Sequence, residues 1–323
     1  MSIISNCTAT AIKDAAASLI NGDLVAFPTE TVYGLGADAT NEDAISRIYR
    51  VKGRPEGHPL IVHVSSLSNL DKWARDIPEY AVELARAFWP GPMTLILPRT
   101  DLAKDFITGG QDNVGIRIPS HTVAQALLKE FESLGGFGVA APSANKFGAV
   151  SPTTASAVEV ELADFLTKND QILDGGTCLV GVESTIINCT LNKPSILRPG
   201  AVTKEIIENT LGITVDLNAP NSESNQIKAA GLLESHYAPK AKVFLTGSPT
   251  LGDGFIALDS YITPVGTLRL ASPKTNEEYA QALYEAFRLA DRKGVGRVFV
   301  IPPNGEGIAV AIRDRLIKAA HKN

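Results

Sequence analysis

The chain lacks most of the short signatures that reveal an enzyme's chemistry. No Gly-x4-Gly-Lys-Ser/Thr occurs, so any bound nucleotide is not held by a P-loop. No Gly-x-Ser-x-Gly occurs, which removes the usual support for a serine hydrolase. The three cysteines, Cys7, Cys178 and Cys189, form no Cys-x-x-Cys pair and no disulfide framework. Each reads as a small buried apolar residue in a reducing cytoplasm. The five histidines have no metal spacing, and His58 and His63 would sit on opposite faces of a strand, so no zinc site is expected. Positive charge is not in excess. Thirty Lys and Arg against 35 Asp and Glu give a net charge of −5, which argues against a general nucleic-acid coat protein but permits a local basic cleft. No apolar run approaches the roughly 18 residues of a membrane span. The N-terminus lacks the basic and apolar regions of a signal peptide, so a cytoplasmic protein without membrane association is expected. Internal repeats and low-complexity tracts are missing as well.

What remains is a chain of 323 residues, 44% hydrophobic and 20% charged, long enough for two domains with ample core. Apolar residues at Ile12, Ala15, Ala16, Leu19 and Ile20 have helical spacing, closed by Gly22, and Leu24–Phe27 is a short strand ended by Pro28. Asn41, Glu42 and Asp43 open a second helix, and Pro78 opens another that Pro90-Gly91-Pro92 stops. Further strands are expected over 60–64, 94–97, 114–118, 138–141, 171–173, 184–188 and 195–197, with helices over 122–132, 154–166 and 203–210. This interleaving predicts an α/β domain with a mixed sheet over residues 1–215. Residues 216–240 read as a linker, polar at first and then carrying His236 and Tyr237 before Pro239. Residues 241–323 alternate strands and helices as a small α/β domain of their own. Gly34-x-Gly36-x-x-Ala39 matches a loose dinucleotide fingerprint, but six residues separate it from Phe27, so the glycines do not form a tight strand-to-helix turn.

Two motifs carry chemistry. Between Asp43 and Glu56 there is no acidic residue and there are four basic ones, Arg47, Arg50, Lys52 and Arg54, the last two in Lys52-Gly53-Arg54-Pro55. Further on, Ala141-Pro142-Ser143-Ala144-Asn145 follows an apolar strand. Fixed cations with a hydroxyl and an amide on a turn make a cradle for a polyanion. Taken singly, each motif reads equally as a solvated helix end or an ordinary turn. Arg117, inside Val114-Gly115-Ile116-Arg117-Ile118-Pro119, is surrounded by apolar residues and needs an anionic partner. That partner is either a protein carboxylate, Glu30 or Glu183, or a ligand carboxylate. Arg198 poses the same question with a phosphate. His63 is either a binding-site residue or a hydrogen-bonded core histidine.

With Phe27–Gly36, His58-Pro59-Leu60, Trp89–Thr94, Ser151-Pro152-Thr153, Glu183-Ser184-Thr185-Ile186 and Leu197–Gly200 added in order, the chain resembles the YrdC-like family, in particular its two-domain threonylcarbamoyl-AMP synthases. The resemblance is strong over residues 8–212 and extends to the remainder by layout. It implies a YrdC-like mixed twisted sheet with helices, followed by a small Rossmann-like α/β domain. It also implies a reaction in which L-threonine, bicarbonate or CO2, and ATP give threonylcarbamoyl-AMP and pyrophosphate. A downstream transferase complex would then modify the tRNA adenosine beside the anticodon. Transferred residue by residue, it places Lys52 and Arg54 in catalysis and, with Ser143 and Asn145, around the nucleotide phosphates. His58, Asn113, Ser151 and Arg198 fall at further nucleotide contacts. Thr31, His63, Arg117 and Ser184 fall at positions that hold threonine. Ala141 departs from the Thr of other members, leaving only a backbone contact there. Tyr237 resembles the tyrosine that closes over the site. Its loss, or truncation near residue 215, is expected to leave ATP binding partly intact and lower the yield of the intermediate. ATP would arrive with Mg²⁺, without a dedicated protein metal site, and a tRNA contact is open. Two other readings are a carbamoyl-transfer domain of the same fold, disfavoured by the lack of zinc-finger cysteines, and a non-catalytic RNA-binding module, disfavoured by the acidity and the lack of an aromatic stacking surface.

Overall fold

Capping chemistry sets the helix boundaries. In the computed structural model, which describes residues 4–217, 227–228, 231 and 237–321, helix α1 (Ala9–Ile20) begins where Thr8 accepts the Ala11 N–H. Helix α2 (Glu42–Lys52) begins at Asn41, which accepts the Ala44 N–H, with Glu42 and Asp43 at its positive end. It ends at Gly53, in the left-handed conformation at φ 62° that favours glycine. That reversal leaves Lys52 on the helix and sends Arg54 onto the following loop. The remaining helices of this part are α3 (Leu70–Trp73), α4 (Glu79–Phe88), α5 (Asp105–Thr108), α6 (Thr122–Ser133), α7 (Ala155–Leu162) and α8 (Lys204–Leu211). The helix expected over 154–166 is shorter, because residues 163–165 tighten into a 3-10 turn.

The strands are β1 (Ile4–Asn6), β2 (Val25–Phe27), β3 (Gly34–Asp38), β4 (Ile61–His63), β5 (Met93–Pro98), β6 (Asn113–Arg117), β7 (Val139–Ala140), β8 (Gln171–Asp174), β9 (Thr185–Asn188), β10 (Ser195–Arg198) and β11 (Asp216–Leu217). They form one sheet in the order β1-β8-β2-β3-β7-β4-β6-β5-β9-β10-β11. It is mixed: β4 and β6 run parallel, as do β5 and β9, while β7 lies antiparallel to both β3 and β4. Three strands depart from the sequence expectation, the first of them β1, which pairs parallel with β8 where no strand was expected. Gly34–Asp38 is a strand antiparallel to β2, which agrees with the rejection of a glycine-rich nucleotide turn there. Asp216 and Leu217, read as the start of the linker, extend the sheet edge parallel to β10. Most of the stretch 216–240, with His236, lies outside the described residues.

A second sheet follows, β12 (Lys242–Phe244), β13 (Gly254–Ile256), β14 (Leu268–Ala271) and β15 (Arg297–Val300), in the order β12-β15-β13-β14. All its pairings are parallel, as in Rossmann-like sheets. Helices α9 (Asn276–Arg292) and α10 (Ile308–Ala320) pack against this sheet and against each other. Its apolar cluster contains Leu283, Tyr284, Phe287, Ile312 and Leu316 and also takes in Val32, Val150 and Val182 from the first part of the chain. The two sheets therefore share buried surface.

Candidate active site

The two motifs read from the sequence meet in space. Lys52, at the end of α2, is almost fully buried, and its Nζ donates to the carbonyl oxygens of Ser143 and Asn145. Those carbonyls belong to the turn that leaves β7. The same turn is joined to the 33–35 segment by Leu35 N–H to Pro142 O and Ala144 N–H to Tyr33 O, each 2.8 Å. A Cβ on Gly34 would stand 3.2 Å from that of Ala141, so glycine allows this close approach. Burial drives the Lys52 ammonium well below its usual range. Arg54 and Lys146 add to the effect, and Glu161 opposes it in part. Arg54 donates from Nη2 to Pro59 O at 3.0 Å and lies 5.7 Å from the centre of the Phe147 ring. Burial brings its guanidinium down to about 10. Among the described residues, Arg54 Nε and Asn145 Oδ1 are buried without a hydrogen-bond partner. The Asn145 amide nitrogen is fixed by the carbonyls of Lys146 and Ala149.

A second group stands at the carboxyl ends of β4 and β6, where parallel register pairs His63 with Arg117. Arg117 Nη2 meets Glu30 Oε1 at 2.6 Å, and Glu30 Oε2 accepts the Ser120 N–H. Glu30 is thus the protein carboxylate that the buried arginine requires. Burial works to raise the Glu30 carboxyl, but Arg117 and the Ser120 amide hold it below its usual value. His63 is buried edge-on against Phe27 with Nδ1 3.2 Å from Ile61 O. Burial, then Arg117, pushes it down to about 3, so its imidazole is neutral near pH 7. Thr29 donates to Val32 O at 2.6 Å, which uses its one hydroxyl proton. The Thr31 hydroxyl is therefore the donor across its 2.8 Å contact with Thr29, and its oxygen remains an acceptor. Ser184 Oγ lies 2.8 Å from Thr94 Oγ1 and accepts from Arg198 Nη2 at 3.1 Å. Arg198 also donates from Nε and Nη2 to Ser184 O.

One cavity gathers most of the expected residues: Lys52, Arg54, Ser143 and Asn145 with Thr31, His63, Arg117, Ala141, Ser184, Arg198 and Tyr237. Its empty volume is about 630 Å³, counting the solvent at its mouth. Three expected residues lie outside this lining. Ser151 is fully buried and donates to Glu183 Oε1 at 2.6 Å. His58 packs edge-on against Phe147, a lining residue. Asn113 borders a neighbouring small cleft with Pro59, Ile61, Ile96, Gly115 and Ile186. There Gln111 clasps the backbone of Lys228 from both sides, accepting its N–H at 2.7 Å and donating to its carbonyl at 3.1 Å.

Sequence reasoning missed the contribution of the second sheet's helices. Glu183, considered as a partner for Arg117, instead binds Arg315 of α10 and the Tyr284 hydroxyl of α9. Arg315 left one trace in the sequence, a cation among the apolar positions Ala311, Ile312, Leu316 and Ala319 of one helix. Tyr284 left none.

Comparison with known proteins agrees along the whole chain. Residues 17–200 match the Sua5, YciO and YrdC family model, described as "Telomere recombination", and residues 202–321 match "Threonylcarbamoyl-AMP synthase, C-terminal domain". A threonylcarbamoyl-AMP synthase of Pyrococcus abyssi is 39% identical over 96% of this chain and 94% of its own length. One from Bacillus subtilis is 39% identical over 96% of this chain and 92% of its own. The crystal structure of P. abyssi Sua5 complexed with L-threonine superposes with a TM-score of 0.88 at 37% identity, covering 99% of this chain and 98% of that one. The chain belongs to the Sua5, YciO and YrdC family, in its two-domain threonylcarbamoyl-AMP synthase form.

Proposed function

We propose that this chain is a nucleotidyltransferase that makes threonylcarbamoyl-AMP from L-threonine, bicarbonate or CO2, and ATP. The threonine amine first takes up CO2 as an N-carboxylate. That carboxylate attacks the α-phosphorus of ATP, the bond to the bridging oxygen breaks, and pyrophosphate leaves. Both reactants are anionic, so the site must supply positive charge and exclude water. The observation that carries the reading is the convergence of Lys52, Arg54, Arg117 and Arg198, all buried, on one cavity that Thr31 and Ser184 also line.

In this reading Arg117, aligned by Glu30, takes the threonine carboxylate, and Thr31, Ser184 and neutral His63 hold its hydroxyl end. Ala141 contributes backbone alone. Lys52 and Arg54 stabilise charge on the phosphates, Ser143, Asn145 and Arg198 orient them, and Ser151 acts through Glu183. The apolar cleft beside Asn113 takes the nucleoside, with His58 at the phosphate side through Phe147. No step requires a covalent enzyme intermediate, and catalysis is positioning and charge stabilisation. Mg²⁺ would travel on the triphosphate. Among the described residues no His, Cys, Asp or Glu cluster is placed to hold it, and Glu183, the carboxylate of the cavity lining, has both oxygens engaged.

We further propose that residues 1–215 with β11 form the catalytic domain, 241–323 the second domain, and the connection that holds Lys228 and Tyr237 a strap over the site. The support is Tyr237 in the cavity lining and the Gln111 clasp on Lys228. The product then passes to a downstream tRNA-modifying transferase in the cytoplasm. Among the described residues no helix is long and apolar enough to cross a membrane. The test is pyrophosphate release from ATP. It should require both threonine and bicarbonate, and release indifferent to threonine overturns the assignment.

A further inference from the structure

We propose that Arg315, on the second domain, is a positioning residue for the active site of the first. Its guanidinium ties together the two backbone segments that carry Ser184 and Arg198 and so fixes how both face the cavity. The side chain is fully buried. Nε donates to Glu183 Oε2 at 2.8 Å, Nη1 donates to Pro199 O at 3.0 Å, and Nη2 points at Glu183 O at 3.4 Å. Glu183 and Pro199 are the chain neighbours of Ser184 and Arg198, which bond each other and line the cavity. One fork from α10 thus spans the entry to β9 and the exit from β10.

The rest of the surroundings keep that fork in place. The Tyr284 hydroxyl lies 2.9 Å from Glu183 Oε2 and Ser151 donates to Oε1, so the carboxylate cannot rotate away. The guanidinium carbon sits 5.3 Å from the centre of the Tyr237 ring, which stacks on Tyr284 with centres 5.9 Å apart. A contact whose sole task was to glue two domains would not need this chemistry, because a buried ion pair is often no more stable than apolar side chains of the same volume. The planar fork offers divergent donors at fixed angles, which a lysine cannot reproduce. Three of those donors are directed to the two segments that carry site residues.

The inference rests on the proposed reaction, and the test separates the two. Full-length wild type, Arg315→Lys and Tyr284→Phe are assayed for threonine-dependent pyrophosphate release, with thermal melting of each and rates expressed per folded molecule. Arg315→Lys keeps a cation beside Glu183 but cannot bridge to Pro199. It should raise the threonine KM at least tenfold at a temperature where it is folded. Tyr284→Phe, which frees the Glu183 carboxylate on one side, should raise it about threefold. A purely structural contact predicts lower melting temperatures and lost active fraction at unchanged KM, and that result overturns the proposal. If Arg315→Lys does not fold, Tyr284→Phe decides alone, with a wild-type threonine KM as the overturning result. Wild type that releases no pyrophosphate in response to threonine would instead remove the proposed reaction.

Discussion

On the proposed reading Lys52 uses one ammonium for two purposes. Two of its three donors hold the Ser143–Asn145 turn, so that turn is shaped without a ligand, and the third would serve the phosphates in the cavity that Lys52 lines. Lys52→Met keeps the stem and removes both. A donor lost from a preorganised anion site costs about 3–4 kcal/mol of transition-state stabilisation, or 10²–10³ in rate. Pyrophosphate release within threefold of wild type would show that the turn holds itself and that the phosphates do not use this lysine. Thr31 and Ser184 make a second prediction. A pocket that hydrogen-bonds the substrate hydroxyl rejects an analogue lacking it far better than an apolar pocket can. Valine should therefore support pyrophosphate release at least 10³-fold less well than threonine at equal concentration, and comparable use of the two would remove those hydroxyls from the threonine site. His63 makes a prediction about acid. Its folded value near 3 lies below the ordinary 6.5, so the unfolded chain binds a proton that the folded chain refuses. Neutral His63 is fully compatible with folding above pH 6.5, and stability falls as pH drops from 6.5 toward 3, by about 1.4 kcal/mol per pH unit for this one group. Urea unfolding at pH 7 and pH 5 should show a smaller drop in midpoint for His63→Gln than for wild type.

At the scale of elements, capped helices were legible and glycine-built strands were not. Asn41 with Glu42 and Asp43 fixes the start of α2, and Pro78 fixes that of α4, because each satisfies or dispenses with backbone donors at a helix start. Strand β3 escaped because Gly34-Leu35-Gly36-Ala37-Asp38 has neither β-branched residues nor alternation. The structure supplies the reason. A Cβ on Gly36 would stand 2.8 Å from both the Phe27 ring and a Val139 methyl, so packing across the sheet selects glycine over strand propensity. Gly36→Val should cost at least about 1–3 kcal/mol through overpacking, read as a lower urea midpoint at unchanged m-value. An unchanged midpoint would mean that β2 and β7 can move apart freely. The candidate site divides in the same way. Lys52, Arg54, Ser143 and Asn145 were legible as residue types suited to a polyanion. The bond from Lys52 to the turn was not, since chain positions 91 apart carry no sign of contact. Glu30 was one of two candidates for Arg117, and only the packing of the segment before β3 against β6 decided between them.

At the scale of the whole molecule, the second domain completes the first. Val32, Val150 and Val182 are buried in the same cluster as Leu283, Tyr284 and Leu316. Arg288 of α9 bonds Val150 O and pairs with Glu161 at 3.3 Å. Glu183 has two of its donors, Arg315 and Tyr284, on the far side of the interface. Burial works to raise the Glu183 carboxyl, but Arg315 and Arg198 hold it at about 2, so it is charged throughout the neutral range. Cutting the chain at residue 215 removes those partners and uncovers the valines. Exposing a buried valine forfeits about 1.5 kcal/mol or more, the pair between Glu183 and Arg315 is lost as well, and 3 kcal/mol corresponds to roughly 6–12 °C of melting temperature for a domain of this size. The fragment should therefore melt at least 6 °C below the catalytic part of the full chain and scatter light when warmed. Glu183→Gln in the fragment should change its melting little, because losing α9 and α10 opens the carboxylate to water and leaves Arg198 and Ser151 beside it. The same Glu183→Gln in the full chain should destabilise, since it takes from Arg315 the carboxylate that Nε meets at 2.8 Å and leaves Asp314, 2.7 Å from Nη1, as its remaining ion-pair partner. Calorimetry of the four proteins reads this contrast directly. A fragment that melts with the full chain would mean that the interface is an accessory contact and that the catalytic domain stands alone.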